Sequence, residues 1–149
     1  MEEEKLRVNG LRLRGTIEEL ARIGGTPGGG MHRLALSDED RRARDQLLTW
    51  LREMDLEIAI DEMGNIFGKR KGKDPHLPVV LSGSHLDTQP LGGRFDGILG
   101  VTGALEVLRT LEEKGRSGDL SGAPDLYANM RLQYEALCGI AQGILRKAA

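Results

Sequence analysis

One histidine and two carboxylates in the segment Ser82–Gly97 have the types and spacing for metal chemistry: His85, Asp87 and Asp96. Along an extended chain residues i and i+2 project to the same side, so His85 and Asp87 can stand next to each other. An imidazole that serves a metal uses one ring nitrogen on the ion, at about 2.0–2.1 Å, and gives its other N–H to an oxygen that fixes tautomer and orientation. Asp87 is positioned for that second task. Asp96 comes nine residues later, after Gly92 and Gly93, whose freedom to adopt positive φ allows a sharp reversal back towards His85. Each carboxylate oxygen can take one ion, which suits a hydrolytic pair of metals about 3.5–4 Å apart. A place just before a helix also favours the ionised form. His-x-Asp is equally the pattern of a hydrogen-bonded pair at a strand end, and spacing alone leaves both readings open. A phosphate cradle at Gly92–Gly97 lacks the lysine and the glycine spacing that such loops use.

The elements that must position this segment can be read from periodicity and capping. Leu13, Ile17, Leu20 and Ala21 recur at helical spacing within residues 5–24, and Gly24 and Gly25 stand where a helix cap would put glycine. Thr26 to Met31, with Pro27 and three glycines, reads as a loop. Ser37 followed by Asp38, Glu39 and Asp40 is an N-cap with acids in the first turn, and Leu47, Leu48, Leu51 and Met54 give that helix, about 38–54, one apolar face. Leu56, Ile58 and Ile60 alternate with polar or small residues and Ile66–Phe67 resumes after a turn, which predicts a hairpin. The basic run Lys69, Arg70, Lys71 and Lys73 has no interleaved aromatics and reads as a solvated strand end. Pro78–Leu81 is an uninterrupted apolar run, the pattern of a strand buried on both faces, and it leads directly into the chemical segment. Ile98 to Leu111 is helical. Arg116 to Pro124 reads as a linker, and Asp125 to Lys147 as one further helix containing Cys138, read as a buried residue.

Composition limits what this assembly can be. A chain of 149 residues matches one domain of ordinary size, and helix, helix, hairpin, buried strand and helix together predict an α/β layered fold. Twenty-one Lys and Arg against 23 Asp and Glu give a net charge of −2, which offers no field for nucleic acid or an anionic membrane. With 39% hydrophobic and 30% charged residues the chain is too apolar overall to stay disordered. An acidic start at Glu2–Glu4 and the lack of an apolar run of about 20 residues lead to the expectation of a cytoplasmic protein.

Several strings taken together resemble a known family. Glu18–Gly24, Arg33–Arg41, Gly64–Gly68, Gly83–Pro90 and Gly92–Val101 are similar, in order, to the zinc-dependent amidohydrolases of the M20 metallopeptidase superfamily, in the branch of N-carbamoyl-L-amino-acid hydrolases and allantoate amidohydrolases. The resemblance runs from about residue 11 to 115. It implies the N-terminal portion of an α/β/α sandwich catalytic domain over residues 1–115, with residues 116–149 a linker and helix of unplaced origin. It also implies His85 as a ligand of one zinc, Asp96 as the carboxylate bridging two ions, and Asp87 as the catalytic-site acid behind His85. Zinc is the implied metal, with manganese, cobalt or nickel as alternatives. The implied reaction is hydrolysis of the linear ureido C–N bond of a small-molecule substrate by a homodimeric enzyme.

Family members are two to three times longer. Their Glu-Glu pair, two later histidine ligands and dimerisation domain have no counterpart in this sequence, since Glu112-Glu113 lies in a helical context and His32 and His76 read as surface residues. The expectation is therefore a partial site of two ligands, weakly active or inactive alone, with a non-catalytic remnant as the alternative.

Overall fold

A computed structural model describes residues 7–118. Three helices and two strands follow in the order α1 (Gly10–Ala21), α2 (Asp38–Glu53), β1 (Glu57–Ile60), β2 (Ile66–Lys69) and α3 (Ile98–Ser117). Residues Asn9–Arg109 form one compact unit; Arg7–Val8 and Thr110–Gly118 are the described part of a second. The expected linker and helix at 116–149 lie almost wholly outside the described residues, as does Cys138.

The starts of α1 and α2 each have an identifiable cause. The Ser37 side chain accepts the Asp40 N–H at 3.2 Å, and Asp38, Glu39 and Asp40 place negative charge on the first turn of α2. Asn9 caps α1 by accepting the Arg12 N–H at 3.0 Å. Helix α1 is shorter than its apolar periodicity predicts. It closes at Ala21, with Arg22 returning its N–H to Glu19 and Leu20, while Gly24 and Gly25 belong to the next turn. There Gly25 bridges Met31, and the Thr26 N–H donates to the Gly30 carbonyl at 2.8 Å, so the glycine loop is a closed turn.

The hairpin forms as its alternation predicts, with Glu57 opposite Lys69 and Ile60 opposite Ile66 in an antiparallel pair. Its turn is held by Asp61, whose carboxylate accepts from the Met63 and Asn65 N–H groups and the Asn65 side chain at 2.8–3.0 Å. These bonds, the Asn65 side chain first, hold the Asp61 carboxyl below its usual range. The basic run after β2 is exposed, as read.

The core gathers one face of each helix: Ile17 and Leu20 from α1, Ala43, Leu47, Trp50 and Leu51 from α2, and Ile98, Val101 and Leu105 from α3, with Leu56 and Leu86. Glu106 on α3, almost fully buried, ties α1 in place by accepting the Asn9 N–H at 2.8 Å and two bonds from Arg12 at 2.8 and 2.9 Å. A two-point arginine–carboxylate fork also fixes orientation. The Arg109 guanidinium lies 5.9 Å over the Trp50 ring.

The strand expected at Pro78–Leu81 is not formed. β1 and β2 are the strands of the described residues, and Val79 and Leu81 are 78% and 80% exposed. A buried parallel strand takes its hydrogen bonds from neighbours on either side, and β1 and β2 bond only to each other, so an apolar run alone cannot make one here. The described residues thus mix helix and strand, with a small sheet. No helix among the described residues is long and apolar enough to cross a membrane.

Leu20 is fully buried, so Leu20→Ala is expected to destabilise the fold by about 2–5 kcal/mol, read from urea unfolding by the fluorescence of Trp50. Glu106→Gln removes the charge that the Arg12 fork faces and is expected to destabilise the fold in the same measurement, by less than loss of a fully buried pair would. The Asp61 bonds stabilise the hairpin at neutral pH and down to the ordinary carboxyl value, and that contribution disappears as pH falls through the lowered one. Asp61→Asn should therefore flatten the acid limb of the unfolding curve.

Candidate functional site

From Ser82 to Gln89 the chain joins no ladder, and it then turns before entering α3. Leu86 and Thr88 are buried, whereas His85 and Asp87 point to the outside, so the period-two reading of the residues is met. Thr88 replaces the missing ladder with two bonds to Arg33: its N–H donates to the Arg33 carbonyl at 2.7 Å, and its hydroxyl accepts the Arg33 N–H at 2.9 Å.

The structure brings all three sequence-derived residues together around one imidazole. His85 Nδ1 lies 2.9 Å from the Asp87 main-chain carbonyl and 3.3 Å from Asp87 Oδ1. A carbonyl oxygen can only accept, so this bond puts the proton on Nδ1 and leaves Nε2 of the neutral ring with its lone pair. Nε2 faces Asp96 Oδ1 at 3.8 Å. The nearer orienting group is thus the Asp87 peptide oxygen, with the carboxylate beside it. All three side chains are about half exposed and open to a ligand.

A span of 3.8 Å between a nitrogen and an oxygen accommodates one ion bonded to each at roughly 2.0–2.2 Å. In donor type and spacing the pair fits zinc. It supplies two donors, and no group of three or more His, Cys, Asp or Glu able to hold an ion occurs among the described residues. His32 and His76 are exposed and stand apart from the site, as read; Glu112 and Glu113 lie in α3.

The reversal that returns Asp96 to His85 differs from expectation. The positive φ falls on Leu91, at 58°, and not on Gly92 or Gly93. Gly92 lies in a close fit instead: its carbonyl accepts the Met31 N–H at 2.9 Å, and a Cβ there would sit 3.1 Å from the Gln89 oxygen, a tight contact. Gly97 carries the stricter demand. Its φ is +70°, and a Cβ would lie 2.4 Å from the His85 carbonyl oxygen and 2.6 Å from both Nδ1 and Cε1 of the ring. His85 is therefore packed directly against glycine backbone at the start of α3.

Sequence reasoning missed Arg33. It is 0% exposed, donating from Nε to the Leu86 carbonyl at 2.7 Å and from Nη1 to those of Leu20 and Ile23 at 3.1 and 2.6 Å, while Nη2 has no partner. Burial pushes the guanidinium below its usual basicity, opposed by the negative charges of Asp40 and Asp87. An arginine reads as a surface residue in any sequence; the Arg33–Arg41 string was visible only as part of a family pattern.

Gly97→Ala is expected to lose at least about 1–2 kcal/mol from the left-handed backbone alone and to push the His85 ring off Asp96. Unfolding by urea and the His85 ring signals in NMR measure the two effects.

No family model matches the chain. It is 45% identical over 112 residues to an N-carbamoyl-L-amino-acid amidohydrolase of Rhizobium meliloti, covering 75% of this chain and 27% of that protein. A ureidoglycolate hydrolase of Arabidopsis thaliana is 36% identical over 110 residues, covering 74% and 23%. A solved hydantoinase/carbamoylase family amidase from Burkholderia ambifaria superposes with a TM-score of 0.72 at 50% identity, covering 75% of this chain and 28% of that one. The chain spans about a quarter of the length of the relatives it matches. Three quarters of this chain are thereby homologous to part of the N-carbamoyl-L-amino-acid amidohydrolases, and the chain is a partial-length relative of the hydantoinase/carbamoylase family amidases.

Proposed function

We propose that residues 1–115 are part of a metal-dependent amidohydrolase domain that cleaves the linear ureido C–N bond of an N-carbamoyl-L-amino acid, with His85 and Asp96 as ion ligands. The observation that carries the reading is the single imidazole held by Asp87 through Nδ1 while Nε2 faces Asp96 across 3.8 Å. Residues 116–149 are then an appended linker and helix, and the domain a portion of an α/β/α sandwich. Zinc is the favoured ion, the location cytoplasmic, and the assembly a homodimer as in the resembling family. Allantoate is the neighbouring substrate choice, since it presents the same ureido group.

In this reading the chain's own groups do separate work. Asp87 takes the Nδ1–H and so keeps the Nε2 lone pair directed outward. Asp96, at the turn before α3, sets a negative charge opposite that lone pair, and Gly97 allows the ring to approach the backbone. A divalent ion held by these two groups supplies Lewis acidity towards water and a ureido carbonyl.

A second reading, a non-catalytic remnant, is favoured by the count of two donors among the described residues. Two ligands hold zinc far more weakly than the three or four of established sites. The two readings part on a direct experiment with the full chain. Zinc binding followed by calorimetry should weaken at least about tenfold in His85→Ala and in Asp96→Asn, as expected for loss of a ligand or its partner. Ammonia release from an N-carbamoyl amino acid should stay near background for the chain by itself. Equal zinc binding by the wild type and both variants would overturn the ligand assignment, and turnover abolished by His85→Ala would overturn the remnant reading.

A further inference from the structure

The structure assigns to Arg33 the role of a positioning residue for His85: its main-chain carbonyl holds the peptide that carries the Asp87 carbonyl receiving the imidazole Nδ1–H, and its guanidinium holds the peptide before it. The inference rests on the reading of His85 as an ion ligand, and it adds the group that determines which ring nitrogen is free. The Arg33 Nε donates to the Leu86 carbonyl at 2.7 Å, one peptide before Asp87. Its main chain brackets Thr88, one residue after, through bonds of 2.7 and 2.9 Å. Nη1 anchors the same guanidinium to the end of α1 through the carbonyls of Leu20 and Ile23. Asp87 is thus clamped from both sides, and its carbonyl cannot turn without breaking one of these bonds.

The alternative, that Arg33 serves packing alone, fits the observations less well. A buried guanidinium bonded to carbonyls, with one nitrogen left without a partner, is a poor way to fill space that an unbranched apolar side chain fills without desolvating a charge. What the guanidinium adds is direction. Its planar fork points N–H groups at carbonyls of two different segments at once, which an ammonium on a flexible stem does less rigidly.

The test is the tautomer of His85 in the full chain, read by long-range proton–nitrogen NMR at a pH where the histidines are neutral. Signals of His85 are identified by their loss in His85→Gln. In the wild type His85 should show the Nδ1–H form. Arg33→Met keeps apolar bulk and Arg33→Lys keeps charge; both should shift His85 towards the Nε2–H form that prevails in free histidine, and weaken zinc binding about 10–100-fold. Leu47→Ala, a core change with no bond to Arg33, should lower stability and leave the tautomer as it was. Thr88→Val removes the acceptor of the Arg33 N–H while leaving the guanidinium, and should shift His85 in the same direction by less. A folded Arg33→Met with His85 still in the wild-type tautomer overturns the proposal. If the Arg33 variants fail to fold, an unchanged tautomer in Thr88→Val overturns it. A wild type that binds no zinc defeats the ligand reading instead, while the tautomer comparison still decides the part played by Arg33.

Discussion

A cation withdrawn from water and given only neutral oxygens must be held by geometry, because its desolvation is costly and no carboxylate bonds to it directly. Arg33 is in that position, and much of the unit bounded by Asn9 and Arg109 can be traced outward from it. Its three carbonyl acceptors belong to the C-terminal turn of α1, the second residue beyond it, and the stretch that precedes the turn into α3. These segments have no sheet between them to set their spacing. The guanidinium does what a ladder would do elsewhere, and the pair of bonds to Thr88 extends this by one residue. The apolar core then closes around a framework whose register is already set, with Leu20 and Leu86 contributing both a carbonyl to the cation and a side chain to the interior.

The outer face follows from the same constraint. Because Leu86 and Thr88 turn inward, His85 and Asp87 turn outward, and the ring must fold back on the Asp87 peptide. Asp96 reaches it only because the chain reverses tightly at Leu91–Gly92 and then enters α3 at a glycine that leaves the ring its space. Core packing, backbone conformation and the polarity of one imidazole are thus parts of a single arrangement.

How far the sequence disclosed this depends on whether a signal is local. Helix α2 was legible because Ser37, three acids and an apolar face all lie within its own span, and the hairpin because alternation and turn residues are contiguous. The grouping of His85, Asp87 and Asp96 was legible for the same reason. Pro78–Leu81 was not, since being a strand depends on partners that a run of valines cannot specify. Neither was Arg33, whose acceptors are 10, 13 and 53 residues away. Gly92 and Gly93 looked like the hinge, yet the left-handed residue is Leu91, while Gly92 lies at close quarters with Gln89 and gives its carbonyl to the Met31 N–H.

The exposed apolar stretch at 77–81 carries its own restraint on association. Its side chains are in water and its backbone is free of any ladder, which is how a surface comes to recruit foreign strands. Pro78 has no N–H to donate, however, and Gly83 follows soon after with little intrinsic preference for an extended state. A visiting strand finds only the few residues from Val79 to Ser82 to grip, fewer than the usual strand of about 5–6. The proline thus acts as a gatekeeper, limiting self-templating along this apolar stretch.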